Sequence, residues 1–402
     1  MSILLHSKSN KQWIKHLLPL TLGGFSIGMT EFLMMGVLPD VAESLAISIP
    51  TAGYLIAIYA FGVVVGAPLM IALSKNYPPK KILAVLMLLF ALFNSLFALA
   101  PTFLLLLATR FMSGLPHGAF FGVGAVVATQ LAAPGKAASA VAIMFAGLTL
   151  ANILGVPLGT FIGHHLSWRI AYFIVALFGL VTLVSIIKWL PDLILTNTPS
   201  FKQSLKIFKD LEIWLIIGIA AIGTGGLFAW MSYIAPLMTD VALFSENMVT
   251  LIMMVAGLGM AIGNLLGGRF ADRLSPLLVT GLLLFMMMGC LLTIALVTDN
   301  QLWALIMTFI TGVVAFAVVP AMQMLMINAA KGSEMLASSM LQASANMGNT
   351  LGAYLGGLPI AAGLGYTSPE YVGMALACIG LVLCFMIRLT RSTAPCLEPR
   401  AS

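Results

Sequence analysis

Long apolar runs alternate along this chain with short turns rich in proline, glycine or charge. The runs lie near 15–39, 51–74, 82–100, 103–130, 139–163, 170–190, 212–237, 247–270, 277–298, 301–328, 335–363 and 371–390. Most reach the roughly 20 residues that a helix needs to cross a bilayer. A transmembrane barrel would instead show ~10-residue segments of alternating polarity, so that architecture is excluded. The pattern predicts an all-α integral membrane protein with twelve transmembrane helices.

Composition makes the same case. Of 402 residues, 61% are hydrophobic and 8% charged, against ~25% charged in soluble chains. No soluble fold could wet its surface with so few charges. The net charge of +6 does not point to nucleic acid, because placement matters more. With an inside N-terminus, 17 of the 19 basic residues fall in inner segments, among them Lys8, Lys80, Lys136, Lys206, Arg273, Lys331 and Arg388. The bias predicts that both termini are cytoplasmic. Lys8, Lys11 and Lys15 precede an apolar run longer than a signal core and without a small-residue cleavage site, so this run is expected to remain as the first span. Cys290, Cys378, Cys384 and Cys396 lack metal-ligand spacing, and no metal or redox role is expected.

The chain repeats itself at an offset of 197. Pro39 falls on Pro236, Gly62 and Gly66 on Gly259 and Gly263, and Asn152, Gly155 and Gly159 on Asn349, Gly352 and Gly356. One offset that fits three separate helix pairs is the mark of duplication. The expected organisation is a six-helix bundle over 1–190, a cytoplasmic linker over 191–211 and a second six-helix bundle over 212–402. Parallel six-helix repeats build one large class of secondary transporters, with substrate held at the midplane between them.

Three segments carry a resemblance. They are Gly66-Ala-Pro-Leu with Lys80-Lys81, Arg110-Phe-Met-Ser-Gly-Leu-Pro-His117, and Gly155-Val-Pro157-Leu-Gly159. With Thr30-Glu31-Phe32 and Gly36-Val-Leu-Pro39, the chain resembles the major facilitator superfamily, in its twelve-span drug:proton antiporter branch and nearest to the AraJ-like sugar-efflux proteins. The resemblance runs across nearly the whole chain and implies a proton-coupled exporter of a small neutral or amphipathic solute, working by alternating access in the bacterial inner membrane as a monomer. An uptake symporter or facilitator on the same fold is the alternative. No phosphate loop, catalytic carboxylate pair or nucleophile elbow is present, so no enzyme activity and no cofactor are expected.

Glu31 and Arg110 are read as the two charges well inside spans, each costing several kcal/mol unless paired or wetted. Both lie eight residues from the outer ends of their runs, about 12 Å deep at 1.5 Å per residue. They are expected to meet, either as a static ion pair or as a proton-titrating carboxylate tuned by arginine. Their repeat counterparts are Phe228 and Met307, which places coupling chemistry in the first half. His117, two turns after Arg110, is either a packed helix contact or a proton relay. Phe120, Phe121, Asn152, Trp230, Tyr233, Gln323 and Asn346 are the expected cavity wall, suited to an apolar or hydroxyl-rich neutral ligand. Small-residue stripes on spans 2, 5, 8 and 11 allow close helix approach, and the resemblance implies that these helices meet between the halves. Gly155, Pro157 and Gly159 are expected at that contact, with a kink at Pro157. In the inner loop after span 2, Lys75 stands where the resemblance implies an acid. The second copy keeps Asp272 beside Arg273, so these two are expected to hold the inner gate.

Overall fold

The computed structural model describes residues 2–47, 49–74, 77–193, 201–245 and 248–393. Every regular element among them is helical. The long helices are α1 (Ser2–Ser44), α2 (Ile49–Ser74), α3 (Pro79–Leu99), α4 (Phe103–Leu131), α5 (Ala137–His165), α6 (Trp168–Trp189), α7 (Leu211–Val241), α8 (Val249–Arg273), α9 (Pro276–Val297), α10 (Gln301–Ala329), α11 (Glu334–Ala361) and α12 (Ser368–Thr393). Among the described residues, eleven helices are long and apolar enough to cross a membrane. The exception is α11. It is long, but Ser338, Ser339, Gln342, Ser344 and Asn346 on it are buried inside the protein rather than turned outward. Large apolar side chains such as Leu104, Leu177, Phe285 and Phe385 are exposed around the perimeter, as a lipid-facing surface requires.

The turns between elements follow local chemistry. Thr102, Ser167, Asp210, Ser275 and Asn300 cap the helices that follow them by accepting from backbone N–H groups, which satisfies donors that no helix can. The turns before α5 and α11 each place a glycine at positive φ, Gly135 at 71° and Gly332 at 83°. These two glycines are also 197 apart, so the duplication extends to a backbone conformation that β-carbon-bearing residues resist.

The glycine stripes pack differently from the expectation. A β-carbon on Gly62 or Gly66 would strike the backbone of Phe111 or Leu115 on α4. One on Gly259, Gly263 or Gly267 would strike Phe309, Val313 or Ala317 on α10. The α5 stripe, Gly147, Gly155, Gly159 and Gly163, lies on Thr21, Met29, Leu33 and Val37 of α1, and Gly348 and Gly352 lie on α7. Every one of these contacts is within a half. Gly155 and Gly159 are therefore not residues of the contact between halves. Helices 5 and 8 do meet, but on other faces. Gly257 packs on Ile153, Gly268 on Ala138, Ser139 and Ala142, and the Asn264 amide donates to the Ala142 carbonyl at 2.6 Å. A stripe identifies a face that needs closeness, and it does not say which neighbour supplies it.

Pro157 follows a π-helical turn at Ala151–Gly155 in α5, and α11 runs on as α-helix past the equivalent position. The break is not special to α5, however. The α7 helix carries π turns at Ile219–Gly223 and Leu237–Val241.

These contacts predict unequal tolerance. Gly263→Ala should destabilise by about 1–3 kcal/mol, because its neighbour is a backbone carbonyl that cannot move aside. At Gly155 the obstacle is the Met29 side chain, with Cγ at 2.6 Å, and methionine repacks readily. Gly155→Ala should be near neutral, its helix-propensity gain of about 0.5–1 kcal/mol offsetting the shift. Thermal melting of the two purified variants decides; equal losses would contradict the packing argument.

Candidate functional site

Arg110 is fully buried on α4, and its expected partner is not its partner. Its guanidinium donates to the Thr30 carbonyl at 2.7 Å and to Thr30 Oγ1 at 3.0 Å. The Thr30 hydroxyl donates onward to Asn94 Oδ1 at 2.6 Å, and the Asn94 amide donates to the Phe90 carbonyl at 2.8 Å. The guanidinium carbon lies 4.2 Å from the ring centre of Tyr59, 5.5 Å from Tyr172 and 5.6 Å from Phe97. Among the described residues no carboxylate lies within ion-pair distance of Arg110. The expected Glu31–Arg110 pair is replaced by a clamp on the neighbouring residue inside an aromatic cage, where desolvated cation–π contacts are each worth up to about 2 kcal/mol.

Glu31 faces elsewhere. With His117 it lines a cavity of about 110 Å³ in the middle of the bundle. The two are linked to the clamp indirectly, since the Tyr59 hydroxyl and His117 Nδ1 share a hydrogen bond of 3.0 Å. Tyr59 and Asn94 were not singled out in the sequence, and Thr30 was named only as part of the Thr30-Glu31-Phe32 motif. The signal available was Thr30, adjacent to Glu31, and an asparagine in the otherwise apolar third run.

Of the expected wall residues, Phe121, Gln323 and Asn346 line the cavity. Phe120, Asn152, Trp230 and Tyr233 do not. The ring of Phe120 fills the space over Gly23, Asn152 lies towards Gly257, and Trp230 is fully buried. The Tyr233 hydroxyl donates to the Ala353 carbonyl at 2.7 Å. Asn349, the repeat counterpart of Asn152, is on the wall, as are Gln342, Thr224 and Phe228, the counterpart of Glu31. The first half thus supplies the ionisable side of the cavity, and the second half supplies amides and a hydroxyl. A further buried carboxylate is Glu370 in the first turn of α12. It is 1% exposed, and neither oxygen has a hydrogen-bond partner among the described residues.

At the end of the bundle that carries Lys136 and Lys331, Asp272 caps α5 from across the halves. Its carboxylate accepts from the Ala138 N–H at 2.8 Å, the Ser139 N–H at 3.1 Å and the Ser139 hydroxyl. A carboxylate at a helix N-terminus answers both its orphan donors and its dipole. Arg273 beside it is exposed, with no ion-pair partner among the described residues. Lys75 in the first copy lies outside the described residues. At the start of α11 the Glu334 carboxylate instead turns back on the preceding turn, accepting from the Gly332 N–H at 2.7 Å, and the N-cap Ser333 makes no side-chain cap bond. No group of three or more potential metal ligands occurs among the described residues.

A family model described as Major Facilitator Superfamily matches residues 20–335. The chain belongs to that superfamily. AraJ of Escherichia coli K12 is 40% identical over 90% of this chain and 91% of its own length. The inner membrane transport protein YdhP of the same organism is 40% identical over 92% of this chain and 95% of its own. A chloramphenicol resistance protein of Streptomyces lividans is 28% identical over 92% of this chain and 95% of that one. A solved structure of the E. coli fucose:proton symporter FucP superposes with a TM-score of 0.76, covering 94% of this chain and 99% of that one at 14% identity, a likeness of fold alone. The protein is therefore a multi-pass membrane transporter of the major facilitator superfamily that handles a small solute.

The Asp272 geometry predicts a conformational effect. Asp272→Ala removes a cap worth about 0.5–2 kcal/mol and should widen the distance between spin labels at positions 136 and 273. Asp272→Asn, which keeps one accepting oxygen but loses the charge, should widen it less. Distance distributions unchanged in both variants would show that this end is held shut by packing alone.

Proposed function

We propose that this transporter is a proton-coupled exporter working by alternating access, with twelve spans in two six-helix bundles, 1–190 and 212–402. On this reading α11 also spans, bringing the count to twelve, and it is polar because it lines the pathway instead of facing lipid. Both termini and the basic turns are cytoplasmic, and the membrane is the bacterial inner membrane. The protein acts as a monomer and performs no chemistry on its cargo, a small neutral or amphipathic solute.

One observation carries the reading. Glu31, an ionisable group without an ion-pair partner among the described residues, lines the central cavity together with His117. A carboxylate that faces the space where solute sits, unlocked by Arg110, is free to hold a proton in one state and release it in the other. Export is favoured over uptake by the chain-long likeness to a chloramphenicol resistance protein. His117, bonded to Tyr59, links the cavity to the Arg110 clamp, and Asp272 closes the cytoplasmic end while solute leaves on the other side.

The test is flux in vesicles with a clamped pH gradient. Wild type should move solute uphill against the gradient-driven proton, and solute accumulating with the proton instead would identify uptake symport. Glu31→Gln mimics the protonated form, so it should fold, still bind neutral solute and lose uphill transport by tenfold or more. Arg110→Ala should also lose stability, because the Thr30 carbonyl and the aromatic cage lose their cation. Full uphill transport by Glu31→Gln would remove coupling from this carboxylate.

A further inference from the structure

The second-half wall of the cavity holds a feature that the coupling reading leaves unused. Gln323 on α10 is 0% exposed, and its Nε2 has no hydrogen-bond partner among the described residues. Its other end is engaged, since the Gln342 Nε2 of α11 donates to Gln323 Oε1 at 3.4 Å. That bond orients the Gln323 amide and leaves its N–H pair as the unanswered group. One turn along α11, the Asn346 Nδ2 donates to the Gln342 carbonyl at 3.1 Å, which fixes a third amide beside the first two. All three line the cavity. A buried N–H left without an acceptor is rare in folded proteins and calls for an occupant that supplies one. Accepting from Gln342 also polarises Gln323 towards donation.

The surroundings limit what that occupant can be. The rest of the wall is dominated by Phe121, Phe145, Phe228, Phe316, Met322 and Leu341, which offer flat or adaptable apolar contact. A free polyol would leave most of its hydroxyls against these rings without partners, at the cost of desolvation. An anion would face Glu31 across the cavity, with Arg110 already committed to Thr30.

We infer that Gln323, held by Gln342, is the specificity-determining donor of the transport site, and that it selects an uncharged solute with an aromatic or branched apolar body and one exposed carbonyl or hydroxyl oxygen. The inference rests on the cavity being the solute site and narrows its substrate class away from free sugars. A site built around a hydrogen bond rejects analogues that cannot make it far more strongly than a merely apolar pocket would.

Binding to the purified full chain in nanodiscs, with no proton gradient, tests this separately from coupling. Four probes are compared: acetophenone, ethylbenzene of nearly the same shape without the oxygen, benzoate and glucose. Acetophenone should bind at least tenfold more tightly than each of the others. Gln323→Leu should erase its advantage over ethylbenzene, and Gln342→Leu should reduce it in part, with thermal melting reporting that each variant folds. Equal binding of acetophenone and ethylbenzene, preference for glucose or benzoate, or no binding of any probe would overturn the proposal. So would an advantage that survives Gln323→Leu. Should that variant not fold, the ranking in wild type and the Gln342→Leu response decide. Selective binding without proton-driven flux would instead refute the coupled-exporter reading and leave this one standing.

Discussion

A buried cation must be answered wherever it sits, and in this protein the answer to Arg110 organises the first half. Its partners come from four other helices: the Thr30 backbone and hydroxyl on α1, Tyr59 on α2, Phe97 on α3 and Tyr172 on α6. Desolvating a guanidinium costs several kcal/mol, so none of these helices can shift relative to α4 without exposing that cost. Asn94 completes the chain by accepting from Thr30. Only Nε of the guanidinium lacks a partner among the described residues. Because neutral groups do this work, the nearby carboxylate is not consumed by it.

Helix geometry explains how Glu31 escapes. Consecutive residues on an α-helix project about 100° apart, so a clamp that seizes Thr30 turns the next side chain towards a different neighbour. That neighbour is the cavity. The second half keeps the scaffold without the charge: α4 and α10 align at an offset of 198, so Thr308 rather than Met307 stands opposite Arg110, and Phe228 stands at the counterpart of Glu31. Its buried carboxylate, Glu370, lies instead near the start of α12 and lacks partners among the described residues. Duplication has preserved the backbone contacts, as Gly62 with Gly259 and Gly135 with Gly332 show, while the ionisable groups have diverged.

Much of this was legible in the sequence, for identifiable reasons. Apolar run length follows from the bilayer, and the repeat offset follows from duplicated turns and close contacts, so both can be read from one chain. Asp272 was legible as a helix-end partner because its copy at Lys75 had lost the acid. Direction was not legible. A stripe on α5 says that some backbone comes close, but its neighbour is α1, which only the assembled packing reveals. Asn152 and Asn349 are equivalent in the repeat, yet Asn349 alone of the two reaches the cavity wall. Arg110 and Glu31 share a depth, and depth alone cannot distinguish a carboxylate from the carbonyl one residue before it.

The distribution of contacts bears on how such a molecule could move. Within each half, glycines bring backbones together, and any sliding there would drive carbonyls into neighbouring chains. Between the halves close glycine contacts occur too, as at Gly122 on Ser339 and Gly257 on Ile153, but hydrogen bonds join them. At one end the contacts are the Asp272 cap on α5, the Asn264 amide on the Ala142 carbonyl and the seating of Gly268 on Ser139. Hydrogen bonds of this sort exchange for water at a net cost near 1 kcal/mol each, whereas separating glycine-packed helices in lipid forfeits dispersion that lipid only partly restores. Under the proposed cycle the softest boundary is therefore the one between halves, and each half turns as a unit. The cavity lies on that boundary, with Glu31 and His117 on one side and the Gln323–Gln342 pair on the other. A solute held by the amides of one half beside the carboxylate of the other would feel the proton and the rocking motion together, without any single residue having to carry both.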